Sequence, residues 1–396
     1  MDKKILILGE EYWFESTRAR EDYKDADFLL DELSKSKNAH RIILLKTPAK
    51  LIKKIKEIGK TNISAIFMFH DVLSDSFTNN ITINNMKKFI KRLQNKYNIH
   101  IYPGINVTNT FGSKKYYKTL IDKKKLNYAA LPNSLVYMCK NYNKSKDDEI
   151  VKNLYEKTQI MFQKFNKIII KKGYSYEGKQ VKIIKKNITF KEFKEIIEQL
   201  NFKKFWGNET DSRLWEKNIN RYYILQGYNR IIRNSLNEFR VFFLNGKAVY
   251  IVFDDDIDNV CINDMRTQDD TISINNSQKK EDFQQTINVP LAKEIVRFAK
   301  KIFQDYKPYF WKKEEEPILF RTDISFAIAD EFQDEHSIVV EGFNKPVRIY
   351  VNELEIDPTS FFYNRMICKK RKTVDNESVE RTMGRLINNY IEKHNL

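Results

Sequence analysis

The sequence has little cysteine and little histidine, and no long apolar run. Its 396 residues hold three cysteines, Cys139, Cys261 and Cys368, an odd number at no metal-ligand spacing. Reduced thiols in a cytoplasmic, reducing compartment are the expectation. Five histidines without a paired motif argue against a zinc site. No stretch approaches the roughly 18–20 apolar residues of a membrane span, so no membrane partner is expected. Ile5-Leu6-Ile7-Leu8 is too short for the apolar part of a signal peptide and leads straight into Gly9-Glu10-Glu11. That same turn lacks the three-glycine dinucleotide fingerprint, which argues against NAD.

What is present is enough to fold. Hydrophobic residues make up 41% and aromatics 13%, a composition of packed globular domains rather than of disorder. The length predicts two or three domains. The formal charge of +17 has two explanations. Codon bias towards Lys, Asn and Ile can coexist with a phosphate-binding site, or the basic surface can meet an anionic macromolecule such as nucleic acid or polyphosphate. The lysines are dispersed but also cluster in Lys114–Lys125 and Lys164–Lys186.

Along the chain, period-two and helical patterns alternate. Strands are predicted at Lys3–Gly9, Arg41–Leu45, Ile63–His70 and Ile99–Tyr102, with helices at Glu15–Ser34, Pro48–Gly59 and Ile83–Tyr97 between them. This order predicts a parallel sheet with helices on both faces. A lysine-rich helix is expected over Ser113–Lys125, then helices at Asp147–Phe165 and Phe190–Leu200. Between those two, Ile168–Ile184 reads as strand, glycine-containing loop and strand. Such a loop can lay backbone N–H groups over a phosphate chain, or be an ordinary surface hairpin. Tyr222–Tyr228 reads as a strand running into a hinge, and Glu238–Phe253 as a hairpin on an Asn245-Gly246 turn. Asp254–Lys280 reads as polar and irregular, Pro290–Tyr306 and Glu377–Lys393 as helices.

The chemistry concentrates in two predicted strands, Phe320–Ala329 and Val347–Pro358, joined by the acidic connection Asp330–Pro346. If they pair, Asp323, Glu353 and Glu355 share one face, because residues two apart on a strand point the same way. Three carboxylates together either surround a hard cation such as Mg2+ or form a solvated acidic face.

The ordered motifs resemble the ATP-grasp superfamily, in particular its D-alanine–D-alanine ligase-like and RimK-like carboxylate–amine ligases. Tyr102-Pro103 followed by Ser113-Lys114 resembles the first lysine segment, with Lys115 and Lys118 as alternatives to Lys114. Ile170-Lys171 followed by Gly173–Gly178, with Ser175 inside the loop, resembles the second lysine and the loop over the phosphates; Lys172 stands where a proline is usual. Leu225-Gln226-Gly227-Tyr228 resembles the adenine-contacting hinge, where the family commonly has an acidic residue. Glu238-Phe239-Arg240 resembles the segment that meets ribose and phosphate or substrate. Arg321-Thr322-Asp323 resembles the Arg-x-Asp strand, and Asn352–Pro358 the closing metal motif, with Glu355 in place of its asparagine.

The resemblance implies an α/β fold with an α+β lid. An N-terminal parallel α/β domain (1–105) precedes a small lid (106–225) and a larger, mostly antiparallel C-terminal domain (226–396). It implies ATP held by Lys114, Lys171, Ser175, Gln226, Tyr228 and Glu238, Mg2+ on Asp323, Glu353 and Glu355, and Arg321 and Arg240 as catalytic residues. Arg348 is a further candidate for an acidic substrate, or a surface arginine. The implied reaction joins a carboxylate to an amine through an acylphosphate, on a small anionic or amino-acid-like substrate. Two alternatives stand beside it: a kinase of an anionic acceptor such as an inositol polyphosphate, and a degenerate module that binds nucleic acid or protein. A homodimer is the expected assembly.

Overall fold

Lys4–Leu8 (β1) is apolar from Ile5 onward, the pattern of a strand covered on both faces, and Ile5 through Leu8 are all buried. The computed structural model describes residues 2–9, 26–69, 83–122, 134–139, 144–173, 181–201, 221–228, 238–253, 259–261, 271–273, 286–311, 317–328, 338–340, 347–356 and 379–396. Helix Ala26–Ser34 (α1) precedes Ile42–Leu45 (β2), Pro48–Ile58 (α2), Ile63–Met68 (β3), Ile83–Tyr97 (α3) and His100–Tyr102 (β4). α2 starts where Thr47 caps it by accepting from the Lys50 N–H at 3.2 Å, with Pro48 in its first turn, and stops at Gly59 with φ 83°. The strands lie in the order β2-β1-β3-β4, all parallel.

One face of this sheet, with Leu6, Leu8, Ile66 and Ile101, packs on Leu51 and Ile55 of α2 and on Met86, Ile90 and Leu93 of α3. On the other face, Ile5, Ile7 and Phe67 meet Leu29 and Leu33 of α1 and also the last helix, Val379–Lys393 (α9). Tyr390 of α9 lies 4.8 Å from the Tyr102 ring and 5.7 Å from Phe67, centroid to centroid. Helical periodicity identifies α9 but carries no sign that it returns to the first sheet.

The lysine-rich helix predicted over Ser113–Lys125 is found as Tyr116–Asp122 (α5), with residues 123–125 outside the described ones, and a separate helix, Ile105–Gly112 (α4), precedes it. Lys114 sits between them with φ 56°. A non-glycine residue in the left-handed region cannot continue a right-handed helix, so the helix breaks there. Phe111, Tyr116, Tyr117 and Leu120 are buried in the core of the C-terminal sheet.

The lid sheet is built from Ser134–Cys139 (β5), Lys167–Lys172 (β6), Val181–Lys185 (β7) and Arg221–Gly227 (β8), antiparallel throughout in the order β5-β8-β6-β7. Asp147–Met161 (α6) and Phe190–Asn201 (α7) cover one of its faces, where Ile168, Ile170, Tyr223 and Leu225 are buried. The loop between β6 and β7, which contains Ser175, lies outside the described residues.

Phe239–Leu244 (β9) and Lys247–Phe253 (β10) form the hairpin expected from Asn245-Gly246, whose φ values of 47° and 74° are those of a type I′ turn. They join Asn259–Cys261 (β11), Leu319–Ile328 (β14) and Val347–Glu355 (β16) in a sheet of order β11-β10-β9-β14-β16-β15. The sixth strand, Ile338–Val340 (β15), lies within the segment 330–346 that reads as a plain connection in the sequence. Thr271–Ser273 (β12) pairs with Thr286–Asn288 (β13), so the polar stretch 254–280 is not wholly irregular. Val289–Phe310 (α8) packs Ile295, Ala299, Ile302 and Phe303 under one face of the large sheet. The opposite face carries Phe242, Leu244 and Leu319 into the core shared with the first sheet.

Ile387 of α9 is 1% exposed in that shared core. Ile387→Ala is expected to lower unfolding free energy by about 2–5 kcal/mol, read as the midpoint shift in urea denaturation. An effect below 1 kcal/mol would show that α9 contributes little to the first sheet.

Candidate active site

Val351 and Leu354 of β16 both point into the core. Strict alternation would put an odd number of residues between them, but there are two, Asn352 and Glu353. The β14–β16 ladder shifts register here: Asp323 lies opposite Glu353 and Ile324 opposite Val351, so Asn352 is extra. A bulge of this kind turns both residues to one side. Asn352 and Glu353 therefore share one face of the sheet with Asp323, Glu355, Arg321 and Arg240, the last in register with Asp323 on β9.

Two lysines reach these residues from elsewhere. Lys114, at the break between α4 and α5, is buried and forms an ion pair with Glu353. Lys171 comes from the open face of the lid sheet, and its Nζ donates to Asn352 Oδ1 at 3.2 Å. Asn352 Nδ2 in turn donates to Glu238, the residue preceding β9, whose other oxygen lies 3.6 Å from Arg240 Nε. Arg321 holds Asp323 in a two-pronged contact, Nε to Oδ1 at 2.6 Å and Nη2 to Oδ2 at 2.7 Å, and its Nη2 also lies 2.8 Å from Glu355. Its guanidinium stands 5.8 Å from the Phe242 ring centroid. Beneath them Tyr116 and Tyr117 are stacked at 4.7 Å. Tyr117 donates to the Asn352 carbonyl, and Tyr116 accepts from the Leu354 N–H at 3.2 Å.

The electrostatics follow from burial. It lowers Lys114, and it pushes Lys171 down to about 8 with Lys114 adding repulsion. It pushes the Asp323 carboxyl up to about 7 in spite of Arg321. For Glu238 burial pulls upward, but Arg240, Asn352, Arg321 and Lys171 together bring it below the ordinary value. Burial also raises both tyrosines, which stay neutral hydrogen-bonding groups.

Of the lysines named from the sequence, Lys114 enters the cleft, whereas Lys115 is exposed and Lys118 is exposed and paired with Asp122 at 2.6 Å. Lys172 points to the opposite face of the lid sheet, where its Nζ donates to the Leu200 carbonyl in the last turn of α7 at 3.3 Å. Gln226 is buried on β8, and Tyr228, just past it, lies 5.5 Å under the Lys167 ammonium. Arg348 lies on β16, its side chain outside the described ones, as is Ser175. Asp323, Glu353 and Glu355 share a face, with Asp323 and Glu355 both held by Arg321 and Glu353 by Lys114. Among the described residues no three His, Cys, Asp or Glu side chains are grouped to hold a metal.

Sequence reasoning missed Asn352 as a member of the site, because alternation from Glu353 and Glu355 puts it on the opposite face. It also missed Tyr116 and Tyr117, whose signal was two adjacent aromatics inside a lysine-rich run. Asn352→Ala removes the partner shared by buried Lys171 and Glu238. A loss of about 1–3 kcal/mol is expected, measured by chemical denaturation, and a neutral result would show that the bridge does not hold the cleft.

No family model and no curated protein matches the chain. Among solved structures it is similar to D-cycloserine synthetase DcsG, with TM-score 0.54 and 11% identity over 98% of this chain and 99% of that one. It is also similar to VanG D-Ala:D-Ser ligase from Enterococcus faecalis, with TM-score 0.47 and 10% identity over 98% of this chain and 100% of that one. A third is the ATP-grasp ligase PsnB complexed with a phosphomimetic variant of its minimal precursor, Mg and ADP, with TM-score 0.43, 11% identity and 100% of both chains covered. At such identities the likeness is one of fold. The parallel first sheet, the antiparallel lid and the larger antiparallel sheet, in that order along the chain, are those of the ATP-grasp fold.

Proposed function

We propose that this chain is an ATP- and Mg2+-dependent ligase that joins a carboxylate to an amine on an amino-acid-like or peptide-like substrate. The observation that carries the reading is that two buried lysines from different parts of the chain, Lys114 and Lys171, meet β16 at Glu353 and Asn352, on the face that also carries Asp323 and Glu355. Buried cations there answer the charge of a polyphosphate, and the arginines answer the charge that develops on a transferring phosphoryl group.

The donor set suits a hard cation in kind: Asp323, Glu353 and Glu355 offer only oxygen, and burial pushes the Asp323 carboxyl up to about 7 even with a guanidinium against it. These three would hold Mg2+, which when bound supplies charge neutralisation for the phosphates. Arg321 and Lys114, now paired with the same carboxylates, would then be free to meet phosphate oxygens. Lys171 stays on its bridge to Asn352 and faces the same polyphosphate. Arg240, anchored by Glu238, is placed for the acidic group of the substrate. The substrate carboxylate oxygen attacks the γ-phosphorus and ADP leaves, giving an acylphosphate. The amine nitrogen then attacks the acyl carbon, the C–O bond to phosphate breaks with its electron pair on phosphate, and the amine gives up a proton. Positioning and fixed charge supply the rate, and no side chain becomes covalently attached.

The test is a thermal-shift titration of ATP with and without Mg2+ on wild type and Glu353→Gln, followed by hydroxylamine trapping with amino-acid substrates. Stabilisation that requires Mg2+ and weakens in the variant, with a hydroxamate formed from the carboxylate substrate, is the expected outcome. Absence of any nucleotide effect, or phosphate found on an alcohol without hydroxamate, would overturn the ligase reading.

A second expectation concerns pH. Below about 8 the Lys171 ammonium is already charged in the free protein. Above it, binding a phosphate requires proton uptake, so ATP affinity should fall as pH rises from 7 to 9, by up to about tenfold per unit above the titration point. Lys171→Met should show a shallower dependence when both proteins are titrated calorimetrically with MgATP over that range. Equal slopes would remove Lys171 from the phosphate site.

A further inference from the structure

Helices α2 and α3 cover the same face of the first sheet, and each buries one side there, Leu51 and Ile55 of α2 beside Met86, Ile90 and Leu93 of α3. Their other sides are basic almost without interruption. α2 carries four lysines against Glu57 alone, and α3 carries four lysines and Arg92 with no acidic residue. Among the described residues, the ion pair on these helices is Lys54–Glu57 at 2.6 Å. A chain-wide excess of lysine does not produce this. α1 has three acidic residues and no basic one, and α6 and α7 each hold more acidic than basic side chains. The charge is sorted by position.

The two basic sides are continuous. Lys60, just past α2, and Lys96 of α3 both stand over the Tyr97 ring, at 5.2 and 5.9 Å. At the other end of α3, burial and the charges of Lys91 and Lys115 hold the Lys87 ammonium below its usual range. Like charges one helical turn apart, as at Lys87 and Lys91 or Lys88 and Arg92, weaken a helix. The arrangement therefore works against the fold, and an anion lying on it would relieve the repulsion.

The make-up of the face says what covers it. Protein partners favour aromatic and apolar centres and avoid lysine, and none of the large apolar side chains exposed among the described residues lies on α2 or α3. A helix seated on a membrane inserts its apolar side, and here those sides are spent on the sheet. A nucleic-acid backbone needs only exposed cations. α3, with 15 residues, is about 22 Å long, and a duplex of that length presents about a dozen phosphates.

We infer that the outer face formed by α2 and α3 docks the phosphate backbone of a double-helical nucleic acid. The inference stands apart from the ligase reading, because this face lies across the first sheet from the core shared with the large sheet. It is tested on the nucleotide-free full-length chain by fluorescence anisotropy with a labelled duplex of about 20 base pairs, titrated from about 50 to 200 mM salt. Wild type should bind, and its affinity should fall at least about a hundredfold over that range. One variant carries Lys53→Gln, Lys56→Gln, Lys88→Gln and Lys91→Gln, all exposed. It should bind at least about tenfold more weakly, with a salt slope shallower by about one for each lysine that meets a phosphate. A charge-matched variant with Lys152→Gln, Lys191→Gln, Lys293→Gln and Lys300→Gln, exposed on α6, α7 and α8, should stay within about threefold of wild type. Equal losses in the two variants would trace binding to net charge and overturn the inference, as would no binding by wild type. Tighter binding of polyglutamate or of phosphatidylserine vesicles than of the duplex would overturn it in favour of a protein or a membrane. Should the first variant not fold, Lys88→Gln with Lys91→Gln is read in its place, with a loss of at least about threefold expected.

Discussion

Asn352 and Glu353 face the same side of β16 because one extra residue interrupts its ladder with β14, and the cleft is assembled on that irregularity. In a regular ladder only one of the two could meet the incoming lysines. With both turned the same way, Lys114 and Lys171 each find a separate partner on one strand, and the lid sheet is tied to the C-terminal sheet through Asn352. The tyrosine pair below explains why the bulge holds its shape. Tyr117 binds the Asn352 carbonyl and Tyr116 the Leu354 N–H, backbone groups the broken ladder releases. The left-handed backbone of Lys114, two residues before Tyr116, belongs to the same construction, since it ends α4 where α5 must begin. Local strain of this kind persists where surrounding packing enforces it, and here the buried Phe111, Tyr116 and Tyr117 do so.

The cleft is charged but balanced. Lys114, Lys171, Arg240 and Arg321 stand against Glu238, Asp323, Glu353 and Glu355. Burying ion pairs brings little net stability, because desolvation consumes most of the attraction. A core of the same volume made of apolar residues would serve the fold as well. What the pairs do provide is mutual neutralisation: four cations and four carboxylates side by side leave no net charge to be buried.

Much of this architecture is legible in the sequence, for local reasons. The period-two strands around Asp323 and Glu353, the Asn245-Gly246 turn and the alternating elements of the first sheet all depend on neighbours a few residues apart, and within the described residues they are found where the pattern puts them, the part of the first predicted helix before Ala26 lying outside those residues. What the sequence hides depends on long-range packing. Lys114 reads as one more helical lysine until Phe111 and Tyr116 are seen to anchor the turn on either side of it. Lys172 is indistinguishable from Lys171 in a list of residues, yet alternation sends it to cap α7. The return of α9 to the first sheet joins residues nearly four hundred positions apart in order, and no local pattern encodes such a contact.

The formal charge of +17 remains to be placed. Because the cationic and anionic side chains of the cleft cancel, the surplus belongs elsewhere on the chain. Part of it is visible on the lid, where Lys164, Lys167, Lys185 and Lys186 are exposed and Lys167 faces Lys185 in register across β6 and β7. Like charges directly opposite on a sheet weaken the pairing, so this arrangement does not serve the fold. It does create a positive field at the outer end of the sheet whose inner face carries Lys171. A field of that sign draws polyanions towards the lid and falls away within about 8–10 Å at physiological salt.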